Sequence, residues 1–184
     1  DTGFGGTVHL LKAMIKLGRP DVAHRVLTNE TPPSIASMLQ HPLSPERLTV
    51  MPEFYTGGMI PHPGLSTVGF WPYQSLAGIL PDPEMPGFAR FTVRPQIAPG
   101  LTWVEAKYRS VRGPIAVRWK REGDGLAMEV EVPTNTQALV YVPGEDARMV
   151  EPTEEARVAR VSTPDGETAF AVPGGRYKFL SRLG

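Results

Sequence analysis

The sequence contains no cysteine among its 184 residues, and its 19 basic side chains are balanced by 19 acidic ones. The absence of cysteine excludes disulfide bonds, thiolate zinc sites and a cysteine nucleophile. Zero net charge argues against a nucleic-acid partner, because such binding depends on clustered basic residues that neutralise phosphates.

The sequence also lacks a run of about 20 apolar residues, the length that a helix needs to cross a bilayer. Its first residues lack the basic and then apolar layout of a secretory signal peptide. These absences predict a soluble chain without a membrane partner. They favour the cytoplasm over secretion and leave the localisation itself open. Because the chain begins at Asp1, within a predicted helix entry, we expect it to be a piece of a longer protein.

The periodicity of the apolar residues changes along the chain. Between Val8 and Leu17 they recur at steps of three and four, which is typical of a helix, whereas the later segments alternate in twos. The first part is predicted to contain a helical hairpin, a short helix over residues 34–40 and a helix over residues 66–79. Pro72 should kink this last helix, because proline removes a backbone hydrogen bond.

The later part of the chain predicts short strands separated by turn residues. The segments are residues 89–94, 102–111, 115–121, 126–132, 137–142, 157–161, 168–172 and 176–180. Strands at this spacing, with a tight hairpin at Glu122 to Gly125, indicate an antiparallel β-sandwich. The proline-rich connector 80–87 divides the chain into helices over residues 1–80 and a sandwich over residues 81–184.

A loop over residues 41–65 contains five prolines and is the best candidate for a functional segment. Carboxylates, aromatic rings and a histidine occur together in it. They are Glu46, Glu53, Phe54, Tyr55 and His62. A sugar offers hydroxyl groups to a carboxylate or imidazole and a C–H face to an aromatic ring, so this set suits a neutral carbohydrate. No two of the four histidines have the spacing of helical metal ligands, and no metal or other cofactor is predicted.

Motifs along almost the whole chain resemble bacterial α-L-rhamnosidases of glycoside hydrolase family 78. The resemblance starts with Thr2-Gly3-Phe4, Gly6-Thr7 and Leu17-Gly18-Arg19. It continues through Leu76-Ala77-Gly78-Ile79, Asp82-Pro83, Pro86-Gly87-Phe88, Gly100-Leu101-Thr102-Trp103, Ser110-Val111-Arg112-Gly113, Trp119-Lys120-Arg121-Glu122-Gly123 and Val132-Pro133-Thr134-Asn135-Thr136. The resemblance implies the last helices of an (α/α)6 catalytic barrel followed by a C-terminal β-sandwich.

The resemblance also implies an activity and residue roles. The family hydrolyses terminal α-L-rhamnose with inversion, and its general-base glutamate lies in a stretch that is similar to Thr49 to Glu53. Glu53 would then activate water, His62 would contact the sugar, and Phe54, Tyr55 and Phe4 are the remaining candidate contacts. The general acid would lie upstream of Asp1, so this chain is expected to be inactive alone. Its partners would be a rhamnosylated glycoside and the missing N-terminal part of the enzyme.

Departures from the family pattern leave an alternative open. Met51 and Pro52 replace the family's usual tryptophan and its neighbour, and Pro61 replaces an asparagine. The alternative is a non-catalytic module, derived from such an enzyme, that binds carbohydrate or serves as a structural support.

The predicted sandwich carries its own aromatic and charged residues. Trp103, Tyr108, Trp119 and Tyr141 could form a sugar-stacking platform, but core packing is the preferred interpretation at strand positions. The charged residues of the strands, such as Arg118, Lys120, Arg121 and Glu122, are predicted to form a solvated face.

Overall fold

The computed structural model describes residues 3–32, 34–39, 67–151, 158–163 and 166–184. The chain forms two compact units, residues 1–71 and residues 72–184. None of the helices in the described ranges is long and apolar enough to cross a membrane.

The first unit contains the predicted helices. α1 spans Gly3–Lys16, α2 spans Pro20–Thr28, α3 spans Ile35–Leu39, and a 3-10 turn spans Thr67–Gly69. Gly18, with φ of 62°, reverses the chain between α1 and α2, where glycine adopts a left-handed conformation without steric cost. The side chains of Leu11, Ala23, Val68 and Trp71 are buried. The helices are thus present, while their place in a complete barrel remains a prediction.

The helix predicted over residues 66–79 was wrong in its length and type. After the 3-10 turn, Pro72–Leu76 forms a π-helical turn, and Ile79 already belongs to a strand. Within this turn the Ala77 N–H donates to the carbonyl oxygen of Pro72 at 2.9 Å, a five-residue step. The chain then leaves the helical conformation at Gly78, which has φ of 70°.

The second unit is built from strands. They are β1 Ile79–Pro81, β2 Arg90–Val93, β3 Trp103–Ser110, β4 Gly113–Glu122, β5 Gly125–Val142, β6 Glu145–Glu151, β7 Ala159–Ser162 and β8 Thr168–Arg182. All of them belong to one hydrogen-bonded sheet. The sheet is antiparallel except at β2, which pairs with β5 in parallel, so the prediction of a purely antiparallel sandwich needs correction there.

Two long strands divide this sheet into two layers. Residues 125–132 of β5 and 175–182 of β8 pair with each other, and β3, β4 and β6 complete the first layer. Residues 137–142 of β5 and 168–173 of β8 form the second layer together with β1, β2 and β7. The rings of Phe170 and Phe179, from the two halves of β8, approach to 5.1 Å between centroids. The layers therefore share one core.

The strands were predicted too short at two places. Residues 126–132 and 137–142 belong to the single strand β5, and residues 168–172 and 176–180 belong to β8. Instead of turns, residues 133–136 of β5 and Gly174 of β8 lie between the paired segments of the two layers, where both strands bend. A side chain on Gly174 would lie 2.6 Å from the Pro133 carbonyl oxygen, so the two bends are in close contact.

The connector between β1 and β2 is held by an ion pair. Arg90 Nε donates to Asp82 Oδ2 at 2.5 Å, and the Glu84 backbone N–H donates to Asp82 Oδ1 at 2.8 Å. The hydrogen bond from Arg90, followed by the one from the Glu84 N–H, lowers the pKa of the Asp82 carboxyl. The predicted stiff connector is thus anchored to the strand that follows it.

The Asp82 pair makes the stability of the sandwich depend on pH. Because the folded-state pKa is lower than that of an unfolded aspartate, near ~3.9, the pair stabilises the fold above about pH 4, and this contribution is lost as the pH falls through the folded pKa. We expect Asp82→Asn to lower the urea midpoint at pH 7, and the difference from wild type to shrink below about pH 4. Glu145→Gln, at an exposed residue of β6, is the control. A difference that stays constant with pH would contradict this account.

Candidate functional site

The predicted catalytic loop lies outside the described residues. This applies to Glu46, Glu53, Phe54, Tyr55 and His62. The backbone of Phe4 belongs to α1, but its side chain is not among the described parts of the structure. The roles of these residues therefore remain predictions, and the chemistry that the described structure itself displays lies on the sandwich.

Trp119 of β4 confirms the interpretation of sandwich aromatics as core residues. Its side chain is fully buried, and its indole Nε1–H donates to the Leu76 carbonyl oxygen at 2.8 Å. This bond satisfies both a buried donor and a carbonyl of the π-helical turn. Tyr141 is half-buried, and the Arg94 guanidinium carbon lies 4.7 Å from the centroid of its ring. Trp119 therefore presents no face to a sugar, and one face of the Tyr141 ring is occupied by Arg94.

Tyr108 of β3 lies in a small aromatic cluster. Its ring centroid is 5.0 Å from that of Phe88 and 6.2 Å from that of Tyr73. Tyr73 and Tyr108 are about two-fifths exposed, so the prediction of core packing was wrong for Tyr108. Phe88 in turn lies 5.9 Å from the buried ring of Phe91, so the cluster extends from the core to the surface.

Trp103 is the larger exception to the predicted core packing. It begins β3, the outermost strand of the first layer, and its side chain is 64% exposed. Trp103 is directly opposite Lys120 of β4, and the next pair on the same face is Glu105 with Arg118. Alternation along the strand therefore places the indole on the outer, charged face of the first layer.

That outer face carries charges in a regular order. One row runs across five strands and alternates in sign, and its members are Glu105 of β3, Arg118 of β4, Glu129 of β5, Lys178 of β8 and Glu151 of β6. The next row contains Lys107, Ala116, Glu131 and Arg176. Opposite charges on facing positions stabilise neighbouring strands. The prediction of a solvated charged face is confirmed.

The two rows border a shallow groove of about 250 Å³. Arg118 Nη2 lies 2.9 Å from Glu105 Oε2, Lys107 Nζ lies 3.3 Å from Glu105 Oε1, and Arg176 Nη2 lies 3.5 Å from Glu131 Oε1. The hydrogen bonds from Lys107 and then Arg118 lower the pKa of Glu105. The small side chain of Ala116 leaves the space between these ion pairs.

The groove offers hydrogen-bond donors and acceptors without the elements of a hydrolytic centre. Within the described ranges no group of three histidine, aspartate or glutamate residues is placed to hold a metal ion. Glu105 and Glu131 each form an ion pair with a cation of the groove, and their carboxylate oxygens can also accept hydrogen bonds from a ligand. The arrangement can bind a polar molecule.

The sequence contained a signal for the outward position of Trp103. Trp103, Glu105 and Lys107 follow one another at alternate positions, and two charged residues on one face mark that face as the solvated one. The phase of the alternation therefore predicts an exposed indole. The prediction of core packing was wrong for Trp103 because it considered only the residue type and not the charged neighbours at alternate positions.

Comparisons with known proteins relate both units to one kind of enzyme. Residues 78–157 match the family model of the bacterial alpha-L-rhamnosidase C-terminal domain. The chain is 31% identical to an α-L-rhamnosidase of Streptomyces avermitilis over 97% of its own length and 18% of that enzyme. It is 30% identical to an α-L-rhamnosidase of an Alteromonas species, over 77% of the chain and 16% of the relative.

A solved structure agrees with these relatives. The crystal structure of the S. avermitilis α-L-rhamnosidase complexed with L-rhamnose matches this chain with a TM-score of 0.77 and 28% identity. The match covers 98% of this chain and 18% of that protein. The chain therefore spans about a fifth of the length of the rhamnosidases that it matches. Its sandwich belongs to the bacterial α-L-rhamnosidase C-terminal domain family, and the chain as a whole corresponds to the C-terminal part of α-L-rhamnosidases of glycoside hydrolase family 78.

Proposed function

We propose that the chain is the C-terminal portion of an enzyme that hydrolyses terminal α-L-rhamnose. The observation that carries the proposal is the similarity to the S. avermitilis α-L-rhamnosidase, which extends over 97% of the chain and includes both the helical unit and the sandwich. An isolated sandwich module would match over the second unit alone. The similarity of the first unit supports a share in the catalytic barrel.

The proposed reaction inverts the anomeric centre. Glu53 acts as general base and removes a proton from water as the water attacks the anomeric carbon, while a general acid upstream of Asp1 protonates the departing oxygen. The two carboxyl groups of such an enzyme stand about 6.5–9.5 Å apart, which leaves room for the water between them. His62 donates to or accepts from a sugar hydroxyl, and Phe54, Tyr55 and Phe4 cover the apolar face of the sugar.

The sandwich supports the helices in this proposal. Its shared core and its 14 paired positions between β5 and β8 give a rigid body, which suits a structural role beside a catalytic barrel. The 184 residues alone lack the general acid, and we expect them to be inactive. The substrate is a glycoside that ends in α-L-rhamnose.

An activity assay on two lengths of the protein tests the proposal. The 184-residue chain and a form extended by its upstream coding sequence are each supplied with an aryl α-L-rhamnopyranoside, and the first anomer released is identified by proton NMR. We expect hydrolysis by the extended form alone, with β-L-rhamnose as the first product. Release of α-L-rhamnose first would contradict inversion, and an inactive extended form would favour the non-catalytic alternative.

A further inference from the structure

The indole of Trp103 lies largely outside the packed core. The protein has three tryptophans, of which Trp71 and Trp119 are buried, whereas Trp103 is 64% exposed. Its neighbour across the strands is Lys120, whose Nζ lies 2.5 Å from Glu122 Oε1. The indole thus stands among charged side chains with an open face.

The groove has no net charge, and its Glu105–Arg118 pair is the border that lies next to Trp103. It is bordered by three carboxylates, Glu105, Glu129 and Glu131, and by three cations, Lys107, Arg118 and Arg176. Charges of both signs in equal number cancel at a distance, so the groove attracts neither a polyanion nor a polycation. At contact distance the same groups remain strong hydrogen-bond donors and acceptors. A neutral ligand rich in hydroxyl groups satisfies both conditions.

The spacing of the side chains limits the orientation of the ligand. Trp103 and Glu105 are two positions apart on one strand, which places them about 7 Å apart along the strand direction. A ring that lies on the indole can therefore direct its hydroxyl groups toward Glu105 and Arg118.

We propose that Trp103 and the Glu105–Arg118 pair at the near border of this groove bind one neutral pyranose unit of a carbohydrate. The indole packs against the C–H face of the sugar, and the Glu105 carboxylate accepts hydrogen bonds from its hydroxyl groups, while Arg118 donates to them. Glu105 is held by two cations, at 2.9 Å and 3.3 Å, so it loses little conformational freedom when the sugar binds.

A protein partner fits this surface less well. The centre of a protein interface is depleted of charged residues, because each of them must be desolvated. Trp103 is surrounded by Glu105, Arg118 and Lys120, which a protein surface would have to desolvate together. The hydroxyl groups of a sugar can take the place of the water molecules around these charged side chains, because they form the same kinds of hydrogen bond.

Binding of simple sugars to the 184-residue chain tests the proposal. L-rhamnose and D-galactose are titrated into wild-type protein, and binding is followed by saturation-transfer NMR and by protection of tryptophan emission from acrylamide. We expect saturable binding of at least one sugar, and we expect the exposed tryptophan to become less accessible to acrylamide. Trp103→Ala should weaken binding about tenfold or more, and Trp103→Tyr should restore most of it because a ring remains.

Two control variants separate this groove from the catalytic loop and from the rest of the sandwich surface. Val111→Ala changes an exposed apolar residue in the turn between β3 and β4, away from the groove, and should leave the affinity unchanged. Glu53→Gln should also leave it unchanged, so loss of hydrolysis and loss of this binding are distinguishable. The proposal is overturned if neither sugar binds, if Trp103→Ala binds as wild type does, or if Trp103→Ala changes only self-association.

Discussion

Replacing Glu53 by glutamine in the extended enzyme is expected to lower kcat by about 10²–10⁴-fold, the usual contribution of a general base. Glutamine keeps the size of the side chain but cannot accept the proton that leaves the attacking water. KM should change much less, because the amide still accepts hydrogen bonds from the substrate. The limb of the pH–rate profile that reports ionisation of the base should disappear in the variant. Steady-state rates on an aryl α-L-rhamnopyranoside over a range of pH provide the measurement.

A matched variant controls for the general effect of removing a carboxylate. Glu30 is exposed just after α2, and Glu30→Gln is expected to retain wild-type kcat. Equal activity of Glu53→Gln and wild type would remove the proposed role of Glu53. A large rise in KM with unchanged kcat would instead assign Glu53 to substrate binding.

Replacing Gly78 by alanine is expected to destabilise the sandwich by about 3–5 kcal/mol. Gly78 has φ of 70°, a conformation that costs other residues about 1–2 kcal/mol. A side-chain carbon at this position would also lie 2.1 Å from the carbonyl carbon of Arg94 and 2.3 Å from Pro95 N. These are backbone atoms, so relief requires separating the entry to β1 from the end of β2, at a cost of about 1–3 kcal/mol or more.

A hydrogen bond keeps these two segments close together. The Arg94 N–H donates to the Gly78 carbonyl oxygen at 2.9 Å, which extends the pairing of β1 with β2. An alanine at residue 78 would break this bond as the chains separate. Urea unfolding, monitored by the fluorescence of buried Trp119, provides the free energy of unfolding.

Gly87 is a suitable control for the backbone conformation. It has the same φ of 70°, but a side-chain carbon there would meet only the tip of Val111 at an ordinary 3.5 Å. Gly87→Ala should therefore cost only the conformational part, about 1–2 kcal/mol. If both variants lost the same free energy of unfolding, the close approach of the backbone at Gly78 would make no contribution to stability.

Local patterns predicted the fold well wherever the decisive information was local. Alternation located six of the eight strands, all except β1 and β6, and Glu122 to Gly125 marked the hairpin between β4 and β5 correctly. Pro133 and Pro173 were interpreted as strand ends because proline and glycine mark turns. In this fold they mark bends inside strands that continue into the second layer, a difference that depends on the distant partner strand.

Other features depend on contacts that no local pattern contains. β6 was missed because Ala147 is its only buried residue, and the strand forms by pairing with β8. The parallel pairing of β2 with β5 joins residues more than forty positions apart, such as Phe91 and Ala138. For the candidate site, the roles of Glu53 and His62 came from family motifs and remain predictions. The outward position of Trp103 could have been predicted from the sequence, because it alternates with the charged residues Glu105 and Lys107 on the same face of β3.

The passage of β5 and β8 through both layers has a consequence for how the domain is made. β8 follows all of its partners β5, β6 and β7 in the chain, so neither layer can close while the ribosome is still synthesising residues 168–182. Until then β5, β6 and β7 lack this partner strand, and their unpaired edges are open to aggregation or chaperone binding. Because β8 pairs in both layers, we expect the two layers to become stable together, after this strand has been synthesised.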